Sequence, residues 1–584
     1  MKVAVVGSGV SGLAATWLLN EHSDHEVHLY ESDSRPGGHA NTVTYHPPGQ
    51  EESEGIDVDT GFIVCNPATY PNFLRFAALK APEGPTDPGV KIVPTEMTFS
   101  VSRNSGEFEW AGKNPITVFC QPRRFFDPSM WRMLYDVFRF NACAVGILMQ
   151  PTLVKEISIG DYLTQEKYSD AFRENYLIPM TAAIWSTPPG KCFLDFPAKT
   201  LIQFMFNHHL LQILGKPSWL TIQGGSHNYV KKILAKLPKE QLHLNSAIVS
   251  ASNRPVDESG SPRSKVVLKT ADGVEHEFDH VIFACHSDTA LQILAAGDIT
   301  EDERDILGRF EWNKNEVVLH CDPALMPQSR MAWSCWNYLT TSINSTAAGS
   351  STVDRISLTY GMNDLQHIPE SKYGPVLVTL NPPFHPPPEK TFGWWKYDHP
   401  VLDAKAVQAQ SEMHKIQNKR GITFAGAYLK YGFHEDGFTS GLLAACAIDE
   451  ESGKFPTFAP GPKSSGSELS IPVRNKTVRT PFDLQYADHH LTLKRRGVGY
   501  VQGFAILMFG LLEASGVRAL LGLGGSLVLQ VFRILLGIQR LHCQPVEISL
   551  TYSPVINPGD VPGMCQEYFR DGCPGINLMR IHLG

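Results

Sequence analysis

The sequence is short of several things that would each name a function. No block of lysine and arginine is long enough to track a phosphate backbone, and the 59 acidic residues outnumber the 51 basic ones for a formal charge of -8. That balance excludes an extended nucleic-acid partner. The 11 cysteines, scattered from Cys65 to Cys573, include no CxxC pair, and their number is odd. They read as reduced, mostly buried thiols in an intracellular protein, cytoplasmic or on the cytoplasmic face of a membrane, with no disulfide framework and no metal site. The N-terminus lacks a secretory apolar stretch, because only Val3 to Val6 run continuously before glycines arrive. A Ser-His-Asp or Cys-His signature is missing as well, so no catalytic side chain is named by motif.

What is present is a chain of 584 residues, 42% hydrophobic and 10% aromatic, too long for one core and expected to form two or three domains. Val3-Ala4-Val5-Val6 has the character of a buried parallel strand. Gly7-Ser8-Gly9-Val10-Ser11-Gly12 follows, then a helix-forming run from Leu13 to Leu19 and a second strand, Glu26 to Tyr30, ending at Glu31. The spacing predicts a βαβ dinucleotide-binding unit. Gly7 allows the tight turn, Gly9 lets backbone approach a pyrophosphate, Gly12 lets the helix pack on the strand, and the helix N-terminus at Val10 and Ser11 faces the phosphates. Glu31 is placed to accept hydrogen bonds from a ribose diol.

The continuation Glu31-Ser32-Asp33-Ser34-Arg35-Pro36-Gly37-Gly38-His39 resembles the acid-then-Arg-x-Gly-Gly extension of flavoproteins such as amine oxidase, phytoene desaturase and protoporphyrinogen oxidase. With Asp59-Thr60-Gly61, Pro94 to Ser100 and Ile184 to Pro188, the chain up to about residue 450 resembles an uncharacterised FAD/NAD(P)-binding subfamily of the flavin-containing amine oxidase superfamily. That subfamily is similar to the flavin domain fused to plant cyclopropane fatty-acid synthases. The resemblance implies non-covalent FAD, with Arg35, Gly37 and Gly38 at the cofactor and Ile248 or Val249 meeting the adenine. It also implies a second cofactor segment, Thr423 to Gly441, with Gly426 near the pyrophosphate and the backbone of Asp436, Gly437 and Phe438 at the pyrimidine end of the flavin. The sequence departs from the wider pattern at His39, where an arginine is usual.

The expected fold class is α/β. A discontinuous Rossmann-type FAD-binding domain of glutathione-reductase-like, amine-oxidase class (1-80, 215-300 and 420-450) is interleaved with an α+β substrate domain (81-214 and 301-419). Residues 451-482, rich in Gly, Pro, Ser and Lys, read as a linker, and 483-584 as an apolar helical region. Within that region Val498 to Leu512 and Ala519 to Phe532 are each shorter than the about 20 residues that span a bilayer. They suit peripheral contact of 498-540 with a membrane, helped by Lys494-Arg495-Arg496, or a buried helical pair; length does not separate the two.

Aromatic and Met-rich stretches between the cofactor segments suit an apolar substrate. Asn207-His208-His209 is a poor metal site, because adjacent histidines point to different faces, and a structural or substrate-polar role fits better. His286, after the Asp279 to Cys285 strand, reads as a loop histidine. His320, Asn337, Tyr360, Asn363, Asn381 and His399 form no catalytic signature. The expected activity is hydride transfer from a lipid-like, fatty-acyl substrate to FAD. A redox-neutral fatty-acid double-bond isomerase, an amine oxidase and a non-catalytic flavin-binding partner of a lipid-modifying enzyme are the alternatives.

Overall fold

The computed structural model describes residues 1-50, 54-79, 90-149, 157-185, 196-211, 218-254, 265-343, 352-448, 471, 475, 477-485, 500-516, 527-528 and 531. It opens with strand β1 (Lys2–Val6), helix α1 (Val10–His22) and strand β2 (Glu26–Tyr30), as the apolar patterning predicts. Three distant segments complete a five-stranded sheet with these: β3 (Leu242–His243), β4 (His280–Phe283) and β5 (Ile422–Phe424), in the order β5-β4-β1-β2-β3. Every pairing in it is parallel. Parallel strands are covered on both faces and therefore carry near-continuous apolar residues; Val3, Ala4 and Val5 have no exposure at all.

One face of this sheet packs against α1, against α2 (Pro71–Ala78) and against α3 (His434–Ala447). Both α1 and α3 are apolar around nearly their whole circumference. Such helices persist only when surrounded, and residues 435 to 447 of α3 are all buried. Their mutual approach depends on small residues. A Cβ built on Gly441 would stand 2.0 Å from the carbonyl oxygen of Ser11, and one on Gly437 would stand 2.5 Å from Val10 Cγ1. Trp17, buried on α1, meets Phe76 edge-on at 4.8 Å and stacks against Phe482 at 6.1 Å. The other face of the sheet is covered by Phe278, Leu294, Ile306 and Met413; a three-stranded antiparallel sheet (Ile248–Arg254, Lys265–Thr270, Glu275–Phe278) stands beside it.

The intervening chain builds a second sheet of seven strands. Its order is Thr391–Val401, Glu311–His320, Leu377–Leu380, Thr352–Gly361, Trp336–Ile343, Phe99–Arg103 and Phe108–Ala111. This sheet and the helices packed on it, chiefly Pro128–Cys143 and Ala198–Asn207, come from the two stretches assigned above to the substrate side. Asp59 ties the halves together. Its buried carboxylate accepts from the Thr42 hydroxyl (2.6 Å), the Ser226 amide (2.8 and 3.0 Å) and hydroxyl (2.7 Å), and the Gln366 amide (2.8 Å).

Two findings refine the reading of the C-terminal part. Ile471, Val478 and Leu484 are buried in the core on the α1 face, and the Arg479 amide donates to the carbonyl of His22. The tail end of the stretch read as a linker is thus a strap docked on the nucleotide domain, because its few apolar residues find the groove beside Trp17. The helix Tyr500–Ala514 lies on Pro128–Cys143, where Glu513 accepts from the Tyr135 hydroxyl at 2.8 Å. Its Phe504, Leu507, Met508 and Leu511 form an exposed stripe. No described helix is long and apolar enough to cross a membrane, and most of the second apolar run falls outside the described residues. Seven described cysteines are free thiols.

The α1–α3 contact is testable by adding one methyl group. Gly441→Ala forces backbone apart and lowers unfolding stability by about 1-3 kcal/mol. Gly510→Ala, whose Cβ meets nothing within 4 Å, leaves it unchanged or raises it by up to about 1 kcal/mol through helix propensity. Denaturant titration of the two variants beside wild type makes the comparison.

Candidate dinucleotide site

The site begins at the turn between β1 and α1. Gly7 has φ +102, and a Cβ there would lie 3.0 Å from the Ala284 carbonyl oxygen, so the turn tolerates only glycine. Gly9 is the N-cap of α1, with no side-chain cap and no acidic residue in the first turn. The N–H groups of an uncapped helix start favour an anion. A Cβ on Gly9 would meet no protein atom within 4 Å, so open space lies in front of the helix start. The Gly37-Gly38 turn closes over it: the Gly37 amide donates to the Ser8 carbonyl at 3.1 Å, and a Cβ on Gly38 would touch the Gly9 Cα at 3.1 Å. An uncapped helix N-terminus beside a cradle without side chains fits a diphosphate.

Glu31 sits at the end of β2. Its carboxylate accepts from the Ser8 amide (2.9 Å), the Ser8 hydroxyl (2.5 Å), the Asp33 amide (2.9 Å) and the Ser32 hydroxyl (3.1 Å). The carboxylate therefore organises the glycine turn, and a ribose diol would displace the two hydroxyls. Arg35 donates to the Gly38 carbonyl at 2.9 Å and so braces the second glycine turn. The backbone of residues 245 and 246 donates to the carbonyls of Asp33 and Glu31. Val249, three residues on, lies at a bulge where Ile248 pairs Thr270 and Ser250 pairs Lys269, and it is 43% exposed.

The second anchor, α3, starts beside the first. Gly437 packs on Val10, where a Cβ would come within 2.5 Å of Val10 Cγ1. The Ser440 hydroxyl accepts from the Gly426 amide at 2.9 Å and donates to the Gly437 carbonyl at 2.7 Å. The two helix starts are thus adjacent. Of the acids in the first turn of α3, one closes its own N-cap and the other is engaged on α2. Asp436 accepts from the Phe433 amide (3.0 Å). Glu435 caps α2, accepting from the amides of Asn72 and Phe73, both at 2.9 Å, and from the Thr439 hydroxyl (3.1 Å). Phe438 presents only backbone to this region, since its ring is fully buried against Phe73 and Phe76.

His39, expected in the place of an arginine, is partly accessible and lies in a group that the sequence did not announce. Its ring centroid is 4.9 Å from Tyr397, 5.4 Å from His399 and 6.1 Å from His286. Trp312 stacks on His286 at 3.8 Å and donates to the Ser287 hydroxyl. The Tyr397 hydroxyl accepts from the Asn41 amide at 2.9 Å and lies 2.7 Å from the Thr60 hydroxyl. Burial lowers the pKa of all three histidines, that of His399 to about 4, and nearby imidazoles lower His39 and His399 further. The one local signal was the two-residue spacing of Tyr397 and His399, which puts both on the same face of a strand.

The other singled-out residues are structural. His208 packs tilted against Phe204 at 3.9 Å, and His209, just past the helix end, has φ 57. His320 lies 2.6 Å from the Thr379 hydroxyl inside the second sheet, and Asn337 bonds Ser100, Ser334 and Thr359. Asn363 ties Ile368, Gly374 and Val376 together, and Tyr360 meets Trp336 edge-on.

With the geometry in place, the comparisons agree on its class. Residues 5–78 match the NAD(P)-binding Rossmann-like domain family, and the fold is the α/β Rossmann-like architecture of the amine oxidases. Cyclohexylamine oxidase from Brevibacterium oxydans is similar with a TM-score of 0.53 at 15% identity, over 78% of this chain and 99% of that one. The CLA-producing fatty acid isomerase from P. acnes gives 0.50 at 15% identity, over 75% and 96%. Reduced UDP-galactopyranose mutase gives 0.50 at 16% identity, over 77% and 95%. A curated relative, an uncharacterised protein of Acanthamoeba polyphaga mimivirus, is 24% identical over 333 residues, which span 53% of this chain and 62% of that protein.

Glu435 supplies a pH test of the packing that holds α3 in place. Burial pushes its pKa from 4.5 up to about 8, against the pull of the Phe73 and Asn72 amides. A carboxyl whose folded pKa is raised takes up a proton on folding, so its contribution is fully present below about 4.5 and is lost as pH rises through about 8. Melting temperature measured across this window falls more steeply for wild type than for Glu435→Gln, which cannot ionise.

Proposed function

We propose that the protein is an FAD-dependent oxidoreductase of the amine-oxidase type, acting on an apolar, lipid-like substrate with fatty-acyl chains as the leading class. The observation that carries the flavin part is the pair of adjacent helix starts: α1, uncapped and facing open space across Gly9, and α3, whose first-turn acids are turned onto α2 and its own cap. In this reading Val10, Ser11 and Gly12 offer backbone N–H groups to the diphosphate, Glu31 takes the ribose, and the Val249 segment borders the adenine. The backbone at Asp436, Gly437 and Phe438 directs its dipole at the pyrimidine end of the ring, where negative charge develops on reduction.

FAD, when bound non-covalently here, supplies the hydride acceptor. The chain's part is to hold a C–H bond against the ring and exclude water. Tyr431 and Phe433, on the segment entering α3 and packed on Phe204, give that approach apolar walls. The apolar composition around them and the resemblance to the cyclopropane-synthase flavin domain support a lipid-like substrate. The exposed stripe of Phe504, Leu507, Met508 and Leu511 suits peripheral contact with the membrane in which such substrates reside. Double-bond isomerisation is the second reading: the similar P. acnes protein is named a fatty acid isomerase, and that chemistry uses the same site without net oxidation.

Protein purified with added FAD is expected to be yellow and to carry about one flavin per chain. Gly9→Ala keeps the melting temperature of the apoprotein, because its methyl meets no protein atom, yet lowers FAD affinity by about tenfold or more. Undiminished flavin content in that variant contradicts the placement. Anaerobic mixing with unsaturated fatty acids bleaches the flavin stably for an oxidoreductase, and moves a double bond without lasting bleaching for an isomerase. A folded protein that takes up no FAD sinks both readings.

A further inference from the structure

Three histidines from three separate parts of the chain meet at the mouth of the glycine turn. His39 follows the Gly37-Gly38 turn that lies over Gly9. His286 follows Ala284 and Cys285, whose backbone packs against Gly7 on the other flank. His399 comes from the strand Thr391–Val401 of the second sheet. The first two are therefore delivered to opposite sides of the α1 N-terminus, and the third closes the group from the substrate side.

The hydrogen-bonding state of this group is unusual. Among the described residues, no protein group hydrogen-bonds to the ring nitrogens of His39 or His286. His399 has two, the Asn315 side-chain nitrogen, 2.8 Å from its Nδ1, and the backbone of Tyr397. The Asn315 oxygen already accepts from Asn313 and Asn381, so the nitrogen end faces the histidine and can only donate. Two imidazoles whose ring nitrogens meet no protein partner, beside a third from another sheet, mark a place that can hold an acceptor of hydrogen bonds.

We propose that His39, His286 and His399 together bind the diphosphate of the dinucleotide in place of the arginine usual after the glycine pair, and that its binding draws protons from solvent onto this cluster. The inference rests on the flavin reading above. A diphosphate carries two negative charges and accepts hydrogen bonds at every non-bridging oxygen, so it favours the charged form of each imidazole it meets.

The surroundings determine the direction. The titratable and charged groups facing the cluster are Arg35, which disfavours protonation of His39, His434, which burial keeps neutral, and Asp288 and Asp398, which favour protonation at His286; Tyr397, Trp312 and Asn315 are neutral. Without an anion, burial and mutual repulsion keep the imidazoles neutral at physiological pH. With the anion present, the bound state holds more protons than the free state, so affinity rises as pH falls. An arginine could not do this, since it is charged in both states.

The test is calorimetric titration of FAD into the folded apoprotein, in buffers of different ionisation enthalpy. Repeating it between about pH 6 and about pH 8 brackets the ordinary histidine range. The expected result is uptake of a substantial fraction of a proton per FAD, with Kd tightening by about threefold to tenfold for each unit of acidification. His39→Arg binds FAD with smaller uptake and a flatter pH profile, and His39→Asn binds more weakly at low pH. Binding with no proton uptake and a pH-independent Kd overturns the inference and leaves the flavin reading standing. Failure of the folded apoprotein to bind FAD at any pH overturns both.

Discussion

The structure depends on the close crossing of two helices that are far apart in sequence. α1 leaves the first strand at Val10, and α3 leaves the last strand of the same sheet at His434. They can lie side by side only because Gly437 and Gly441 present no side chain to Val10 and Ser11. That contact brings two helix N-termini to one edge of a parallel sheet. Each brings partial positive charge and unsatisfied N–H groups. A sheet of this kind binds ligands beyond the C-terminal ends of its strands, and both helix starts stand there.

The acids near this edge are divided between two helix starts. Glu435 and Asp436 both lie in the first turn of α3. Glu435 caps the neighbouring α2, while Asp436 closes the N-cap of α3 itself. Asp59 performs a similar service further out, joining the Thr42 strand, the helix behind Ser226 and the Gln366 loop. That pin fixes the segment from His39 to Asn41, because Thr60 and Phe62 donate to the carbonyls of Asn41 and His39. The position of the histidine group thus follows from one buried carboxylate on a short hairpin.

The local half of this arrangement was legible in the sequence. Val3 to Val6, the glycine turn, the helix and Glu31 are contiguous, and each residue's part follows from backbone chemistry within about thirty positions. The second anchor was legible through resemblance, since Gly426 and Gly437 have no distinguishing chemistry alone. The meeting of His39, His286 and His399 was not legible, because it depends on strand order and on two sheets being pinned together. Nothing local separates His399 from His320, which bonds Thr379 in a sheet interior. The docked strap from Val478 to Leu484 was missed for a related reason: its composition is that of a linker, and its few apolar residues acquire meaning only beside Trp17.

The central claim is that a dinucleotide lies with its diphosphate across the start of α1. A crystal structure of the protein reconstituted with FAD tests it most directly. The account predicts diphosphate oxygens within hydrogen-bond reach of the Val10 and Ser11 amides, adenine toward Val249 and the flavin ring toward the start of α3. A dinucleotide bound elsewhere, or one whose diphosphate makes no contact with the α1 N-terminus, would contradict it.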